Sequence, residues 1–121
     1  MIFGIGIDQA TVSRVKEAVR KRGPKLIDYL FTEKEKKYCE SKKDPWPHYA
    51  ARFAVKESFI KAWGKTVSPL EIEVDVNKNG RPSLTLKGKI LKQTEEGDIK
   101  KLHLSLSHEG DSAVAVVVLE S

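Results

Sequence analysis

Three residues combine types and positions that suit phosphate chemistry, namely Asp8, Glu57 and Lys61. In a strand, Asp8 shares a face with Gly4 and Gly6, which leaves space beside its carboxylate for a ligand or another backbone. Glu57 and Lys61 are four residues apart, so on a helix they lie on one face. Separated carboxylates with basic groups suit Mg²⁺ and phosphate, because Mg²⁺ prefers oxygen ligands and is usually shared with substrate phosphates.

Each of these residues also has an ordinary structural interpretation. Asp8 is suited to cap the following helix or to begin a turn. Glu57 and Lys61 are suited to form a surface ion pair, although Phe53 and Ile60 on the same stripe predict that Glu57 faces the core and needs a partner. Residue types and spacing alone leave both interpretations open.

Other basic residues offer further anion-binding groups. Arg52 and Lys56 form a separate stripe on the helix that carries Glu57, and this pattern suits a phosphate clamp and a solvated basic face equally. The densest basic stretch, residues 14–25, begins with Arg14 and contains one acid. This pattern fits a solvated helix face and a binding surface for an acidic partner equally well.

The histidines and the cysteine give weaker signals. His108 ends a strand whose face carries leucines, which favours packing, and we expect His48 and His103 to be structural. Cys39 is the one cysteine, so we expect no internal disulfide, a partly buried thiol and a reducing cytoplasm. The sequence contains no HxH, CxxC, HExxH, P-loop or GxGxxG pattern, so we expect neither a zinc site nor a nucleotide fingerprint.

Hydrophobic periodicity predicts an α+β fold in which a mainly antiparallel sheet packs against one long central helix and shorter N-terminal helices. The long helix should run from about His48 to Trp63, with Gly64 as its C-terminal cap. The last strand is apolar on both faces, which predicts a central position in the sheet. The predicted strands are residues 2–7, 72–76, 83–86, 101–107 and 112–119, and two shorter helices are 32–40 and 88–96. A further helix has Val12, Val15, Ala18 and Val19 on one face and stops at Gly23–Pro24, an apolar patch is 26–31, and a loop is 42–47.

The chain has 121 residues, of which 40% are hydrophobic and 32% charged, with 22 basic against 17 acidic residues and a net charge of +5. These values fit a single domain over residues 1–121 and exclude collagen-like and low-complexity chains. The longest apolar run, residues 113–119, is too short to span a bilayer, and we expect no signal peptide. The charge favours an acidic partner, so a nucleic-acid-binding module and an adaptor for acidic proteins are alternatives to an enzyme, although the aromatic residues follow no RNA-binding pattern.

Several segments together resemble the holo-[acyl carrier protein] synthases, the small 4′-phosphopantetheinyl transferases. The matching segments, in chain order, are residues 4–8 (GIGID), 31–35 (FTEKE), 51–62 (ARFAVKESFIKA), 103–108 (HLSLSH) and 113–118 (AVAVVV). The sequence departs from the family pattern at Ser58, where alanine is usual, at residues 64–67 (GKTV), and at Ser112, where tyrosine is frequent. None of these departures falls on a charged motif position.

The resemblance implies an enzyme that uses coenzyme A as substrate and Mg²⁺ as cofactor. A serine of an apo acyl carrier protein would attack the β-phosphate of coenzyme A and release adenosine 3′,5′-bisphosphate, in support of fatty acid biosynthesis. Asp8 and Glu57 match the family's Mg²⁺ ligands, and Lys61 matches a residue that contacts phosphate. The resemblance leaves two candidates for the group that accepts the serine proton, namely Glu57 and a water molecule held by the metal.

The resemblance also implies how the substrates bind. Arg52 and His108 match positions near the nucleotide end of coenzyme A. Arg14 and its basic helix resemble the surface that docks the acidic carrier protein. Related small synthases are homotrimers with active sites between subunits, so Asp8 and Glu57 are expected to face a neighbouring chain, with no role for nucleic acid or a membrane.

Overall fold

The computed structural model describes residues 1–121 and has the α+β architecture that the hydrophobic patterns predict. Three antiparallel strands form a sheet of order β1–β5–β4, and two more form a separate hairpin, β2–β3. The strands are β1 (Ile2–Thr11), β2 (Ile72–Val76), β3 (Pro82–Leu86), β4 (Lys101–Glu109) and β5 (Ser112–Glu120). The helices are α1 (Val12–Arg22), α2 (Pro24–Leu30), α3 (Glu33–Glu40), α4 (Trp46–Trp63) and α5 (Gly88–Glu96), with a 3₁₀ turn at Pro69–Glu71.

The long helix α4 lies against the inner face of the three-stranded sheet, and two glycines of β1 make this close approach possible. A Cβ atom at Gly4 would lie 1.9 Å from the carbonyl oxygen of Ala62, and one at Gly6 would lie 1.8 Å from that of Ser58. Any larger residue at these positions would push the helix away from the strand. None of the helices combines the length and the apolar character needed to cross a membrane.

Strand β5 occupies the centre of the sheet, as its two apolar faces predict. Its inward residues are small at one end and large at the other, from Ala113 and Ala115 to Val117 and Leu119, and all four are buried. The small residues pack beneath α4, where the Ser58 hydroxyl donates to the carbonyl oxygens of Ala54 and Ala115 at 2.7 and 3.0 Å. The central strand and the long helix therefore form the core that carries the site.

A buried ion pair between Lys56 and Glu35 joins the N-terminal helices to α4, so the exposed basic face that was one interpretation of Lys56 is wrong. The ammonium of Lys56 donates to Glu35 Oε1 at 2.7 Å and to the carbonyl oxygens of Leu30 and Pro69 at 2.7 and 2.8 Å. Glu35 Oε2 accepts the backbone N–H of Val74 at 2.8 Å. Because all three ammonium protons have acceptors, the buried charges are compensated and hold five segments in place.

Several element boundaries differ from prediction. Strand β1 continues to Thr11, because its pairing with β5 extends to that residue, so Asp8 lies within the strand rather than at its end. Helix α4 begins at Trp46, and Pro47 is accommodated because the N–H groups of a first helical turn have no helical acceptor. Most of the predicted apolar patch at 26–31 belongs to α2, and Cys39 is fully buried rather than partly.

Candidate active site

Strand β1 presents Asp8 to the C-terminal half of α4. The Lys61 ammonium donates to Asp8 Oδ1 at 2.8 Å and to the carbonyl oxygen of Ile7 at 3.0 Å. Asp8 is mostly enclosed while Lys61 remains half exposed, so the pair lies at a surface open to solvent. The alternating side chains of β1 place Asp8 on the helix side together with Gly4 and Gly6, as the sequence predicts.

Glu57 lies beside this pair without a cation of its own. The Glu57–Lys61 surface pair that their spacing allows is not formed, because Lys61 is bonded to Asp8 instead. Burial raises the pKa of the Glu57 carboxyl, the negative charge of Asp8 raises it further, and Lys61 opposes the change. The site therefore holds two carboxylates and one cation, and the second carboxylate is destabilised in its charged form.

The two carboxylates of this site fit Mg²⁺ better than a metal whose ligands must all be protein side chains. No group of three or more His, Cys, Asp or Glu side chains forms a metal cluster in this chain. Mg²⁺ is usually held by one or two carboxylates and takes its other ligands from water and substrate phosphates. Asp8 and Glu57 supply two such carboxylates, and the raised pKa of Glu57 shows that a nearby cation would relieve unfavourable charge.

A second polar cluster lies at the other end of α4, and it contains both residues matched to the nucleotide end of the coenzyme. Arg52 is only 3% exposed, so it belongs to no solvated basic face. Its guanidinium carbon lies 4.1 Å from the centroid of the Tyr38 ring, its Nη1 donates to the His48 carbonyl oxygen at 3.2 Å, and its Nε has no partner. The ring of His108 lies 5.5 Å from that of His48.

The expectation that His48 is structural stays a prediction, and its ring lies between those of Tyr38 and His108. Its position four residues before Arg52 places it on the same helix face, and this spacing was the signal that could have linked the two. His103, the other histidine expected to be structural, lies apart and pairs with Glu120 at 2.8 Å.

Helix α1 presents its basic residues around an apolar cleft. Arg14 is exposed, and together with Arg22 it borders a cleft of about 440 Å³ between α1 and α2. Apolar side chains line most of this cleft, including Phe53 of α4. Phe53 lies one turn before Glu57, and Gln9, also in the lining, follows Asp8. The cleft therefore lies one helical turn from Glu57 and one residue along β1 from Asp8, although neither carboxylate lines it.

The outer face of the three-stranded sheet is apolar along β1 and β5 and uncovered in the single chain. Ile5 and Ile7 on β1 are 63% and 61% exposed, and Phe3 and Val114 are also exposed. Across the sheet, Ile5 pairs with Val118 and Ile7 with Val116, so the apolar surface continues onto the central strand. A contiguous apolar patch of this kind is typical of a protein interface.

Comparison with known proteins finds relatives that match the whole chain in sequence and in fold. Residues 4–117 match the model of the 4′-phosphopantetheinyl transferase superfamily. A holo-[acyl-carrier-protein] synthase of Geotalea daltonii is 40% identical over 124 residues, covering 99% of each chain. The crystal structure of a holo-[acyl-carrier-protein] synthase from Neisseria meningitidis has a TM-score of 0.94 at 31% identity and covers 100% of each chain. A synthase from Bacillus anthracis, described in complex with CoA (3′,5′-ADP), has a TM-score of 0.82 at 35% identity and covers 100% of this chain and 99% of its own.

Proposed function

The chain belongs to the holo-[acyl-carrier-protein] synthases of the 4′-phosphopantetheinyl transferase superfamily, and we propose that it carries out Mg²⁺-dependent transfer of phosphopantetheine from coenzyme A to a serine of an apo acyl carrier protein. The observation that supports the site assignment is the uncompensated Glu57 carboxylate beside the Asp8–Lys61 pair. Two carboxylates and a half-exposed cation at a solvent-open surface suit a pyrophosphate substrate and a divalent metal.

The reaction exchanges one phosphorus–oxygen bond for another. The serine oxygen of the carrier protein bonds to the β-phosphorus of coenzyme A, and the bond from that phosphorus to the bridging oxygen breaks. Adenosine 3′,5′-bisphosphate leaves with the bond's electron pair, and the serine hydroxyl loses its proton. Phosphopantetheine stays on the serine, and the carrier protein becomes its holo form.

Residues of this chain have separate roles in that exchange. Lys61 is half exposed, so its ammonium can turn from Asp8 to a phosphate oxygen on which charge develops as the bond breaks. The serine proton can go to Glu57, whose pKa is raised by burial and by Asp8, or to a water molecule held by the metal. Asp8 and Glu57 would hold Mg²⁺, which when bound neutralises charge on the pyrophosphate oxygens.

The two substrates would approach from different sides. Arg52 and His108 lie in one cluster across the sheet from Asp8, and this position suits the nucleotide end of coenzyme A. The acidic carrier protein would dock on α1, where Arg14 supplies charge and the adjoining cleft accepts an apolar side chain. The cleft residues Phe53 and Gln9 lie on the same elements as Glu57 and Asp8, so a carrier protein docked there would bring its serine toward the phosphate.

We further propose that the chain forms a homotrimer with active sites between subunits. The exposed apolar face around Ile5 and Ile7 needs cover, and it lies on the strand that carries Asp8. Assembly through this face would bring a neighbouring chain close to the carboxylates. The buried, unpaired thiol of Cys39 suits a reducing compartment such as the cytoplasm. The role in fatty acid biosynthesis is proposed from the family alone.

One mass measurement tests the proposed function. Purified protein is mixed with Mg²⁺, coenzyme A and an apo acyl carrier protein, and the carrier is weighed by mass spectrometry. We expect the carrier to gain one phosphopantetheine group, and the gain to disappear with EDTA. A carrier that binds without a gain in mass would indicate a non-catalytic adaptor, and binding of nucleic acid without any transfer would indicate a nucleic-acid-binding module.

A further inference from the structure

Helix α1 is capped at its N-terminus by the turn between β4 and β5 rather than by its own segment. Thr11, at the N-cap position, makes no side-chain hydrogen bond, and the first turn of the helix contains no acidic residue. Instead, the carboxylate of Asp111 accepts the backbone N–H of Ser13 through Oδ1 at 2.9 Å and the Ser13 hydroxyl through Oδ2 at 2.6 Å. The carbonyl oxygen of Asp111 accepts the N–H of Val12 at 2.9 Å. A residue 98 positions away from Ser13 therefore satisfies two N–H groups that have no acceptor inside the helix.

These bonds are well placed to set the direction in which α1 leaves the sheet. The helix follows β1 without a loop, because the strand ends at Thr11 and the helix begins at Val12. Val12 is also the one buried residue of α1, so the core holds this helix at its first residue only. A second bond between the same two segments, from Gln9 Nε2 to Ser112 Oγ at 2.7 Å, lies beside the cap. The orientation of α1 thus depends on the turn that carries Asp111.

The cap lies directly beside the basic groups proposed to dock the carrier protein. Arg14 follows Ser13 in the chain and is exposed. Glu17, the one acid of α1, is bonded to Arg20 at 2.9 and 3.0 Å, so it is engaged away from Arg14. Arg14 and Val15 also line the cleft between α1 and α2. The position of α1 therefore sets both the direction of the Arg14 guanidinium and the shape of the cleft.

We propose that Asp111 is a positioning residue for carrier-protein docking, which acts through Ser13 to hold α1 where it presents Arg14 and the cleft. This inference rests on the proposed function and extends it to a turn between the matching segments 103–108 and 113–118. Both carboxylate oxygens of Asp111 are bonded to Ser13, so the role of this residue is to orient the helix.

The charge of Asp111 and its hydrogen bonds affect carrier docking in opposite directions. A negative charge beside the docking surface repels an acidic carrier protein, so the charge alone opposes docking. The hydrogen bonds favour docking, because a helix whose first turn is already ordered loses less conformational freedom when the partner binds. Removal of Asp111 should therefore strengthen carrier binding if charge dominates and weaken it if position dominates.

Three variants separate the two effects. Asp111→Ala removes both the cap and the charge. Asp111→Asn removes the charge but keeps a carbonyl oxygen for the Ser13 N–H, since asparagine caps helices about as well as aspartate. Glu109→Ala removes the same charge from an exposed residue at the end of β4, and the helix cap stays in place.

The measurement is calorimetric titration of an apo acyl carrier protein into each variant with Mg²⁺ but without coenzyme A, so that no transfer takes place. We expect Asp111→Ala to bind the carrier about fivefold more weakly than wild type, which corresponds to the loss of one helix cap. Asp111→Asn and Glu109→Ala should bind it as tightly as wild type or slightly more tightly. The coenzyme Kd should stay the same in all three, so in steady-state assays the change appears in the KM for the carrier and hardly in kcat.

A double-mutant cycle tests whether Asp111 acts by way of Arg14. If the cap orients the guanidinium, Arg14→Ala should weaken carrier binding less in the Asp111→Ala background than in wild type. Strictly additive effects would contradict this coupling. Should Asp111→Ala fail to fold, Ser13→Ala removes the hydroxyl bond alone and should weaken carrier binding about twofold, with no change in net charge.

Three results would overturn the inference and leave the proposed function intact. The first is unchanged or tighter carrier binding by folded Asp111→Ala, which would reveal an effect of charge alone. The second is an equal loss of coenzyme affinity, which would indicate a general structural role. The third is the same loss of carrier affinity in Asp111→Asn, in which the cap is kept. Failure of the wild-type protein to bind or modify any carrier would instead contradict the proposed function.

Discussion

At the level of single residues, Glu57 lowers the stability of the folded protein at a position suited to the chemistry of the site. Its carboxylate is partly buried beside Asp8, and the cation one turn away, Lys61, is bonded elsewhere. The charged form is therefore less favourable in the folded protein than in the unfolded chain. A residue kept at a cost to stability in this way is typical of a functional site.

Replacing Glu57 by glutamine should raise stability and abolish transfer. Because the folded pKa lies above the ordinary value of 4.5, the contribution of Glu57 to stability is present below pH 4.5 and is lost as the pH rises through the folded pKa. In EDTA at pH 7 we expect a higher Tm for Glu57→Gln than for wild type, and at pH 4 no difference. With Mg²⁺, kcat/KM should fall by about a hundredfold or more.

Glu96→Gln, at the exposed end of α5, is the control for Glu57→Gln and should leave both Tm and transfer unchanged. A lower Tm for Glu57→Gln at pH 7 would contradict the charge assignment. Near-normal transfer by the folded variant would remove Glu57 from the metal site.

Lys61 is the second residue whose role can be isolated. A fixed cation near breaking bonds stabilises the transition state more than the bound coenzyme, so Lys61→Ala should lower kcat by about a hundredfold and change the coenzyme Kd only a few-fold. The ion pair with Asp8 lies near the surface, and its loss should cost less than about 1 kcal/mol of folding free energy. Turnover, Kd and Tm are measured on one preparation. Unchanged turnover with a lowered Tm would leave Lys61 a purely structural role.

At the level of elements, the contact of α4 with β1 sets the distance between the two carboxylates. Asp8 is on the strand and Glu57 on the helix, so their separation depends on how closely these elements pack. The carbonyl oxygen of Ser58 occupies the space that a side chain at position 6 would need. Close packing therefore requires glycine there.

Gly6→Ala should disturb the site without touching a charged residue. The added methyl would lie 1.8 Å from the Ser58 carbonyl oxygen, so α4 must shift outward. We expect a loss of about 1–3 kcal/mol of folding free energy from overpacking. A displacement of about 1 Å should also reduce kcat/KM by roughly a hundredfold.

The control for Gly6→Ala is Gly97→Ala, where φ is −81° and the nearest atom to an added Cβ is 3.3 Å away. This variant should cost less folding free energy and keep full activity. Denaturant unfolding and steady-state kinetics measure both effects. Wild-type activity in Gly6→Ala would show that the carboxylates tolerate a displaced helix.

Helix α1 makes a separate contribution at this scale, because its charges lie around a cleft rather than at the reacting groups. Arg14→Glu turns one attraction for an acidic carrier protein into a repulsion, so carrier affinity should fall by roughly tenfold, or about 1.4 kcal/mol. The salt dependence of binding should become shallower. Coenzyme affinity should hardly change.

Lys92→Glu on α5 makes the same change in net charge away from the cleft, and it is the control for Arg14→Glu. It should leave carrier affinity unchanged. Titration of carrier protein at several salt concentrations gives both quantities. A collapse of coenzyme affinity in Arg14→Glu, with docking intact, would contradict the assignment of α1.

For the whole molecule, the apolar outer face of the sheet indicates that one chain is not the working unit. Ile5→Lys places a charge in the middle of this face, where Ile5 is 63% exposed in the single chain. If three chains meet there, burying an unpaired charge is costly, and the trimer should dissociate with loss of transfer activity. Light scattering after gel filtration should show three chains for wild type and one for the variant.

Leu91→Lys is the matched control for Ile5→Lys, because Leu91 is 41% exposed on α5, away from the sheet face. This variant should remain trimeric and active. A monomeric and active wild-type protein would contradict the proposal of shared active sites.

Local patterns in the sequence predicted most of the secondary structure. The bounds of α5 and the central position of β5 are both confirmed. Each of these features depends on residues close together in the chain or on the apolar character of a single segment. Such features can be predicted from the sequence alone. The family motifs likewise identified the class of enzyme, since they are read directly from residue order.

Only the tertiary structure decided which partner each charged residue has. Helical spacing allowed an ion pair between Glu57 and Lys61, but Lys61 is bonded to Asp8, which is 53 positions away in the chain. The same holds for Lys56, which is buried against Glu35. The reason is physical: a hydrogen bond forms with the nearest acceptor in space, and the approach of distant segments is set by packing, here by two glycines of β1 beneath α4.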